Sequence, residues 1–151
     1  MTESNPSISE RKKGLRQKML AMRRALSANE TESRSSSLKE NILSLPEYKN
    51  AKKIMAFLAM KGESNLDGFI RQALLDGKEV YIPVCLPERQ MEAGRLIDME
   101  HFEKGPLGLR NLPAGYEVTS PESLDLVLIP GLAVSQEGIR LGMGAGYYDR
   151  Y

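Results

Sequence analysis

Lys53 to Val84 reads KIMAFLAMKGESNLDGFIRQALLDGKEVYIPV. Its first six residues, Lys53–Leu58, form a short apolar run of strand length. Leu66, Phe69, Ile70, Ala73 and Leu74 then recur at helical spacing. Ser64 stands where an N-cap belongs, and Asp67 falls in the first turn. Gly77 follows the last periodic residue, where a left-handed C-terminal cap favours glycine. Glu79–Val84 returns to a strand. A strand, a helix and a second strand in this space form a βαβ unit. The fold class that follows is an open α/β sheet, mostly parallel.

The same grammar extends in both directions. Arg95–Met99 alternates weakly and reads as a further strand. Glu103–Pro121 is a Gly/Pro-rich loop, and Leu124–Ile129 (LDLVLI) is a continuous apolar run, as in a strand buried on both faces. Toward the N-terminus, residues 1–8 are polar and are expected to be a disordered lead-in. A basic helix begins at Ser9, with Leu15, Met19, Met22 and Leu26 as its apolar stripe. Arg11, Lys12, Lys13, Arg16, Lys18, Arg23 and Arg24 cover much of the rest. Ser27 with Glu30 is a capping box that opens a second helix running to about Leu45, and Pro46 closes it. No linker, repeat or low-complexity stretch interrupts the chain, which is expected to be one α/β domain over 1–151.

Composition narrows the function. Among 151 residues, 21 Lys and Arg face 20 Asp and Glu, a net charge of +1. That balance gives no bulk attraction to nucleic acid. One cysteine, Cys85, and one histidine, His101, exclude an internal disulfide framework and make a structural zinc site untenable. Cys85 reads as a semi-buried small residue and His101 as a surface loop residue. No apolar run approaches the roughly 18 residues of a membrane span, and the N-terminus lacks the apolar middle of a secretory signal. A reduced, cytoplasmic protein is expected.

Ile129 to Tyr151, IPGLAVSQEGIRLGMGAGYYDRY, carries the chemistry. Gly142, Gly144 and Gly146 alternate, so the backbone can turn its N–H groups toward an anion without a Cβ in the way. Arg140 precedes them with a forked, permanent charge. Asp149 follows as a carboxylate able to hold Mg²⁺. These are parts of a phosphoryl-transfer site. Tyr147 and Tyr148 add flat faces for a planar ligand. Spacing excludes a Walker A loop and the dinucleotide fingerprint. A plain tight turn is the alternative.

The string PGLAVSQEGIRLGMGAGYYDRY resembles the signature of the 5-formyltetrahydrofolate cyclo-ligases, also called methenyltetrahydrofolate synthetases. KKGLRQKMLAMRRALS is similar to that family's first helix, with its Lys-x-x-Leu-Arg pattern. FLAMKGESNLDGFIRQALLDGKEVYIPV resembles its strand, Glu-containing loop, helix and next strand, and GPLGLRNLP its glycine-rich connector. The similarity runs from Lys12 to Tyr151.

The resemblance implies an ATP-dependent ring closure of 5-formyltetrahydrofolate to 5,10-methenyltetrahydrofolate, with Mg²⁺ required and ADP and phosphate released. It implies a three-layer fold related to the sugar-phosphate isomerase and CoA-transferase group. Its partners would be small molecules, a reduced folate and ATP, with no nucleic acid and no membrane; the oligomeric state stays open. Matched position by position, Lys12, Lys13, Gly14, Leu15 and Arg16 form an ATP-binding stretch. Without the resemblance, Lys12 and Arg16 read as a solvated basic face. Arg140, Leu141, Gly142, Met143, Gly144, Ala145, Gly146, Tyr147 and Tyr148 match the nucleotide loop, with Arg140 and Tyr148 as catalytic residues. Met143–Tyr147 also match the folate-contacting stretch, together with Leu58 and Glu63. Unaided, Glu63 reads as a first-turn helix charge. Asp149 matches a Mg²⁺ ligand.

Departures from the family pattern are Ser135 in place of Asp, Leu66 in place of a capping Thr, and Ala145 where some members carry Lys. Family members continue beyond the YYDR motif. A chain ending at Tyr151 is expected to leave a sheet edge unpaired and an apolar face bare, with Asp149–Tyr151 too few residues to form the helix they would open. Catalysis would then be impaired, and a truncated nucleotide- or folate-binding fragment is the alternative. A nucleic-acid module and a sugar-phosphate isomerase are the remaining readings.

Overall fold

The computed structural model describes residues 4–151. The disorder expected over 1–8 therefore lies outside the described residues for its first three positions, and it fails at its end. Ser7 caps helix α1 (Ile8–Arg24): its hydroxyl accepts from the Glu10 N–H, and the Glu10 carboxylate accepts from the Ser7 N–H. The expected box at Ser27 and Glu30 opens α2 (Ala28–Ser44) in the same way. Pro46 starts a further short helix, α3 (Pro46–Asn50), and does not simply close α2. A first-turn proline loses nothing there, because that N–H has no helical partner. The apolar stripe of α1 is not a core stripe, since Leu15 is 41% and Met22 57% exposed and no residue of the helix is buried.

β1 (Lys53–Met55) leads through α4 (Asp67–Leu75) to β2 (Glu79–Leu86), and the two strands pair in parallel with Ile54 opposite Val80. This is the expected βαβ unit. Its cap differs from expectation. Leu66, not Ser64, occupies the N-cap position and makes no side-chain cap bond. Leu66 is 1% exposed and belongs to the core, while the Asn65 side chain accepts from the Asp67 N–H in its place. Gly77 follows the helix at φ +78°, as foreseen.

β2 turns through Pro87–Arg89 into an antiparallel β3 (Gln90–Leu96), which starts before the weak alternation at Arg95–Met99. The stretch read as one loop contains a small hairpin, β4 (Glu103–Lys104) with β5 (Arg110–Asn111), and β6 (Val118–Thr119), which pairs with β3. β7 (Leu126–Val127) pairs in parallel with β1. The sheet order is β6-β3-β2-β1-β7. Its centre is parallel, as expected of the α/β class, and its β3–β6 side is antiparallel. LDLVLI is not a strand buried on both faces: Leu126 and Val127 are half-buried and Ile129 is 50% exposed. β8 (Ala133–Val134) and β9 (Arg140–Leu141) form a last hairpin, followed by one helical turn, α5 (Tyr147–Arg150).

Both faces of the sheet are covered. Ile54, Val80, Ile82 and Leu96 pack with Phe69, Ile70 and Ala73 of α4 and with Ile42 and Tyr48 of α2 and α3. Each large side chain buried there is worth about 1.5–3 kcal/mol of transfer free energy. On the other face, Met55, Tyr81 and Ala93 are at most 3% exposed and lie beneath Tyr148 and Tyr151. The face is thus not bare at this point: Tyr148 and Tyr151 pack on it from α5, which is a single turn that begins at Tyr147, before the expected Asp149 start.

Candidate active site

β9 delivers Arg140 and then the loop Gly142–Gly146. Arginines from three directions hold the carbonyls of this region. Arg16 Nε of α1 donates to the Gly142 carbonyl at 2.9 Å. Arg150 Nη1 donates to the Ala145 carbonyl at 2.8 Å, and Arg140 Nη1 to the Pro130 carbonyl at 2.8 Å. Arg23 Nη2 donates to the Gly131 carbonyl. With the carbonyls turned to cations, the amides are left free: among the described residues, the N–H groups of Gly142–Gly146 donate no hydrogen bond. Such a run of unpaired amides suits an anion.

Backbone conformation favours glycine at two positions of this loop. Gly144 and Gly146 take φ of +105° and +76°. A Cβ on Gly142 would lie 2.8 Å from Arg140 Nη1, and one on Gly146 2.8 Å from Arg150 Nη1. The absent side chains let these guanidinium groups come close to the backbone; with a Cβ there, their ends would have to shift.

Arg140 also pairs with Asp149, Nη2 to Oδ1 at 3.0 Å, and its guanidinium sits 5.7 Å above the Tyr148 ring. The two residues singled out for phosphate charge and metal thus hold each other. Asp149 is mostly exposed, and among the described residues no group of three or more His, Cys, Asp or Glu could hold a metal ion. One carboxylate does not make a free-standing metal site. It does suit Mg²⁺, which keeps waters and takes phosphate oxygens beside one or two carboxylates.

Of the α1 stretch, Arg16 touches the loop, whereas Lys12, Lys13, Gly14 and Leu15 are exposed. Lys12 lies one turn before Arg16 on the same face. Met143 is 68% exposed at the loop tip, and Leu141, Ala145 and Tyr147 are half-buried.

Beside the loop lies a cleft of about 540 Å³ at the carboxyl ends of β1 and β2. Leu58, Glu63 and Tyr148 line it together, although they are far apart in sequence. Glu63 is not in the first turn of a helix. It closes a tight turn, its carboxylate accepting from the Met60 N–H at 3.1 Å and its own N–H donating to the Met60 carbonyl at 3.0 Å. The Tyr148 hydroxyl is buried and has no partner among the described residues. Burial pushes its pKa well up; the neighbouring Glu63 and Cys85 add to this and Arg140 opposes it. The phenol therefore stays protonated and is a hydrogen-bond donor in search of an acceptor.

Several residues of the site were not legible in the sequence. Arg110 lines the cleft, held by a two-pronged bond to Asp67 at 2.8 and 3.1 Å and lying 5.5 Å over Phe102. Nothing in the Gly/Pro-rich stretch marked it. Tyr116 donates to Glu92 at 2.6 Å on the same wall. Arg23 offered one signal, its spacing of two helical turns from Arg16. Cys85 is exposed at the cleft, not semi-buried. His101 is a surface residue as expected, paired with Asp98 at 2.9 Å.

Among the described residues, no helix is long and apolar enough to cross a membrane. Residues 8–151 match the model of the 5-formyltetrahydrofolate cyclo-ligase family. The chain is 33% identical over 154 residues to a probable 5-formyltetrahydrofolate cyclo-ligase of Caenorhabditis elegans, spanning 96% of this chain and 74% of that one. It is 32% identical over 152 residues to the 5-formyltetrahydrofolate cyclo-ligase of Mus musculus, spanning 96% of this chain and 75% of that one. The NMR structure of Aquifex aeolicus 5,10-methenyltetrahydrofolate synthetase matches with a TM-score of 0.79 at 34% identity, over 92% of this chain and 70% of that one. On these grounds the chain belongs to the 5-formyltetrahydrofolate cyclo-ligase family, a family of ligases.

Proposed function

We propose that this chain converts 5-formyltetrahydrofolate to 5,10-methenyltetrahydrofolate with cleavage of ATP to ADP and phosphate in the presence of Mg²⁺. The observation that carries this reading is the run of unpaired amides at Gly142–Gly146, framed by Arg16 and Arg140 and opening beside the Glu63 cleft.

In this reading the pteridine end of the reduced folate lies in the cleft against Leu58, and the Glu63 carboxylate accepts from its polar N–H groups. The terminal phosphates of ATP rest on the amides of Gly142–Gly146. Arg16, Lys12 and Arg140 neutralise their charge. The formyl oxygen attacks the γ-phosphorus; a new O–P bond forms as the bond to ADP breaks. N10 then attacks the activated formyl carbon and loses its proton. The C–O bond breaks, and phosphate leaves with the electron pair and the formyl oxygen. The protonated Tyr148 hydroxyl donates to an oxygen of the reacting centre. Positioning and charge neutralisation are the protein's main contributions to such a transfer.

Mg²⁺, when bound, supplies countercharge to the phosphates, and Asp149 is the residue that would hold it. Arg140 and Asp149 exchange partners on binding: the guanidinium trades a carboxylate for phosphate oxygens, so neither charge is left alone.

The test is direct absorbance detection of methenyltetrahydrofolate from purified protein, 5-formyltetrahydrofolate, ATP and Mg²⁺. Arg140→Ala is expected to lower turnover about 10³-fold, as for a residue neutralising a transferring phosphoryl group. Asp149→Asn is expected to raise the Mg²⁺ concentration required about tenfold, the scale of losing a metal-site carboxylate. Folded protein giving no product, or product formed equally well without ATP, rules the proposal out.

A further inference from the structure

We propose that Arg23 is a positioning residue of the nucleotide site: it ties α1 to the Pro130-Gly131 turn and so holds Arg16 against the glycine loop. The kinetic consequence rests on the nucleotide reading above; the structural one does not.

Little burial holds α1 down. Its seventeen residues include none that is buried. Beneath its second half lies a cavity of about 1060 Å³, bordered by Leu20, Arg23 and Leu26 on one side and by α2 and the turn before α4 on the other. Among the described residues, two long-range hydrogen bonds leave this helix. Arg16 Nε donates to the Gly142 carbonyl at 2.9 Å, and Arg23 Nη2 to the Gly131 carbonyl. The two arginines are seven positions apart, two turns along one face. One tie would let the helix pivot; the second fixes its direction.

The far end of the Arg23 bond matters as much. The carbonyls of Pro130 and Gly131 are consecutive, and they accept from Arg140 and Arg23 respectively. Gly131 also has no side chain where Arg140 Cγ passes, 3.0 Å from the position a Cβ would take. One turn therefore serves as the common perch of the phosphate-facing Arg140 and of the helix that carries Arg16 and Lys12. Arg23 does not line the substrate cleft, so its role is exerted through these neighbours. Lysine, with a single ammonium on a flexible stem, reproduces the charge but not the planar fork.

Amide hydrogen exchange on the full chain, with no ligand added, reads the tie itself. Arg23→Ala is expected to speed exchange across residues 8–24 about tenfold, the worth of one charge-assisted hydrogen bond. Arg23→Lys should fall between, and Arg24→Ala, the exposed neighbour, should match the parent. In steady-state kinetics, Arg23→Ala is expected to raise KM for ATP about tenfold by the same bond's worth, with KM for the folate nearly unchanged. Unchanged exchange in α1 of Arg23→Ala overturns the proposal. So does loss of its cooperative thermal unfolding, since a tie on an unburied helix is no core contact. Absence of ATP-dependent turnover in the parent protein would defeat the proposed function alone, and the exchange result would still decide the role of Arg23.

Discussion

Tyr148 joins stability and chemistry at a single hydroxyl. Among the described residues the group is buried without a partner, and its surroundings hold it protonated. A buried hydroxyl without a partner costs the fold about 1–3 kcal/mol relative to a satisfied one. Tyr148→Phe keeps the ring on Met55 and Tyr81 and removes the unpaired atom. Its urea-unfolding free energy is therefore expected to equal that of the parent or exceed it by about 1 kcal/mol, while kcat falls about 10–100-fold if the phenol donates to the reacting centre. A destabilised variant with full turnover would contradict both halves. At this scale the sequence was informative about residue type and silent about partners. The alternating glycines pointed to a backbone open to an anion, but the arginines that lie against them could not be read there. One of those, Arg16, arrives from α1 at the other end of the chain. No local pattern encodes such a meeting, and Arg23 and Arg110 escaped notice on the same account.

Elements were legible where the cause of their boundaries is local. Ser27 with Glu30 opens α2 because both halves of the capping box lie within four residues. Ser7 with Glu10 carries the same signal and opens α1. Ser64 failed as a cap because Leu66 is claimed by the core, so the helix starts later and its first turn is served by Asn65. β3 was displaced for a related reason: its pairing with β2 is fixed by the tight return at Pro87–Arg89. In that return Glu88 and Arg89, both non-glycine, adopt φ of +60° and +57°. Left-handed backbone costs a residue with a Cβ about 1–2 kcal/mol. Replacing the pair by Asn-Gly (Glu88→Asn with Arg89→Gly), the sequence such turns prefer, is expected to stabilise the protein by about 1 kcal/mol after the added flexibility of glycine in the unfolded chain is subtracted. The urea midpoint should rise with an unchanged m-value. A fall would show that the Glu88 or Arg89 side chain contributes more than the turn costs.

The whole molecule is organised around a sheet with a parallel centre and an antiparallel side, covered on one face by α2, α3 and α4 and on the other by two tyrosines. The strand-helix-strand rhythm contained the parallel centre. The antiparallel side depends on a hairpin and a two-residue strand, too short for periodicity to register. Tyrosine is used throughout this assembly as a side chain with an apolar body and a protonated tip. Burial raises the pKa of Tyr48, Tyr148 and Tyr151 above the ordinary 10, with the Asp76 carboxylate adding to the first; acceptance of its hydrogen bond by Glu92 raises that of Tyr116. Each of these groups binds its proton more tightly when folded than when unfolded. Their ionisation leaves stability unchanged below pH 10 and lowers it as the pH climbs toward the folded values, because the unfolded chain then holds fewer protons. The free energy of urea unfolding is accordingly expected to decline above pH 10. Each of Tyr48→Phe and Tyr148→Phe should lower the limiting slope by about one proton. Phenolate absorbance followed in parallel should lag behind free tyrosine and rise together with the loss of structure. Absorbance that rises at the pH of free tyrosine in protein that is still folded would mean that these tips are open to solvent and that the second face of the sheet is not sealed.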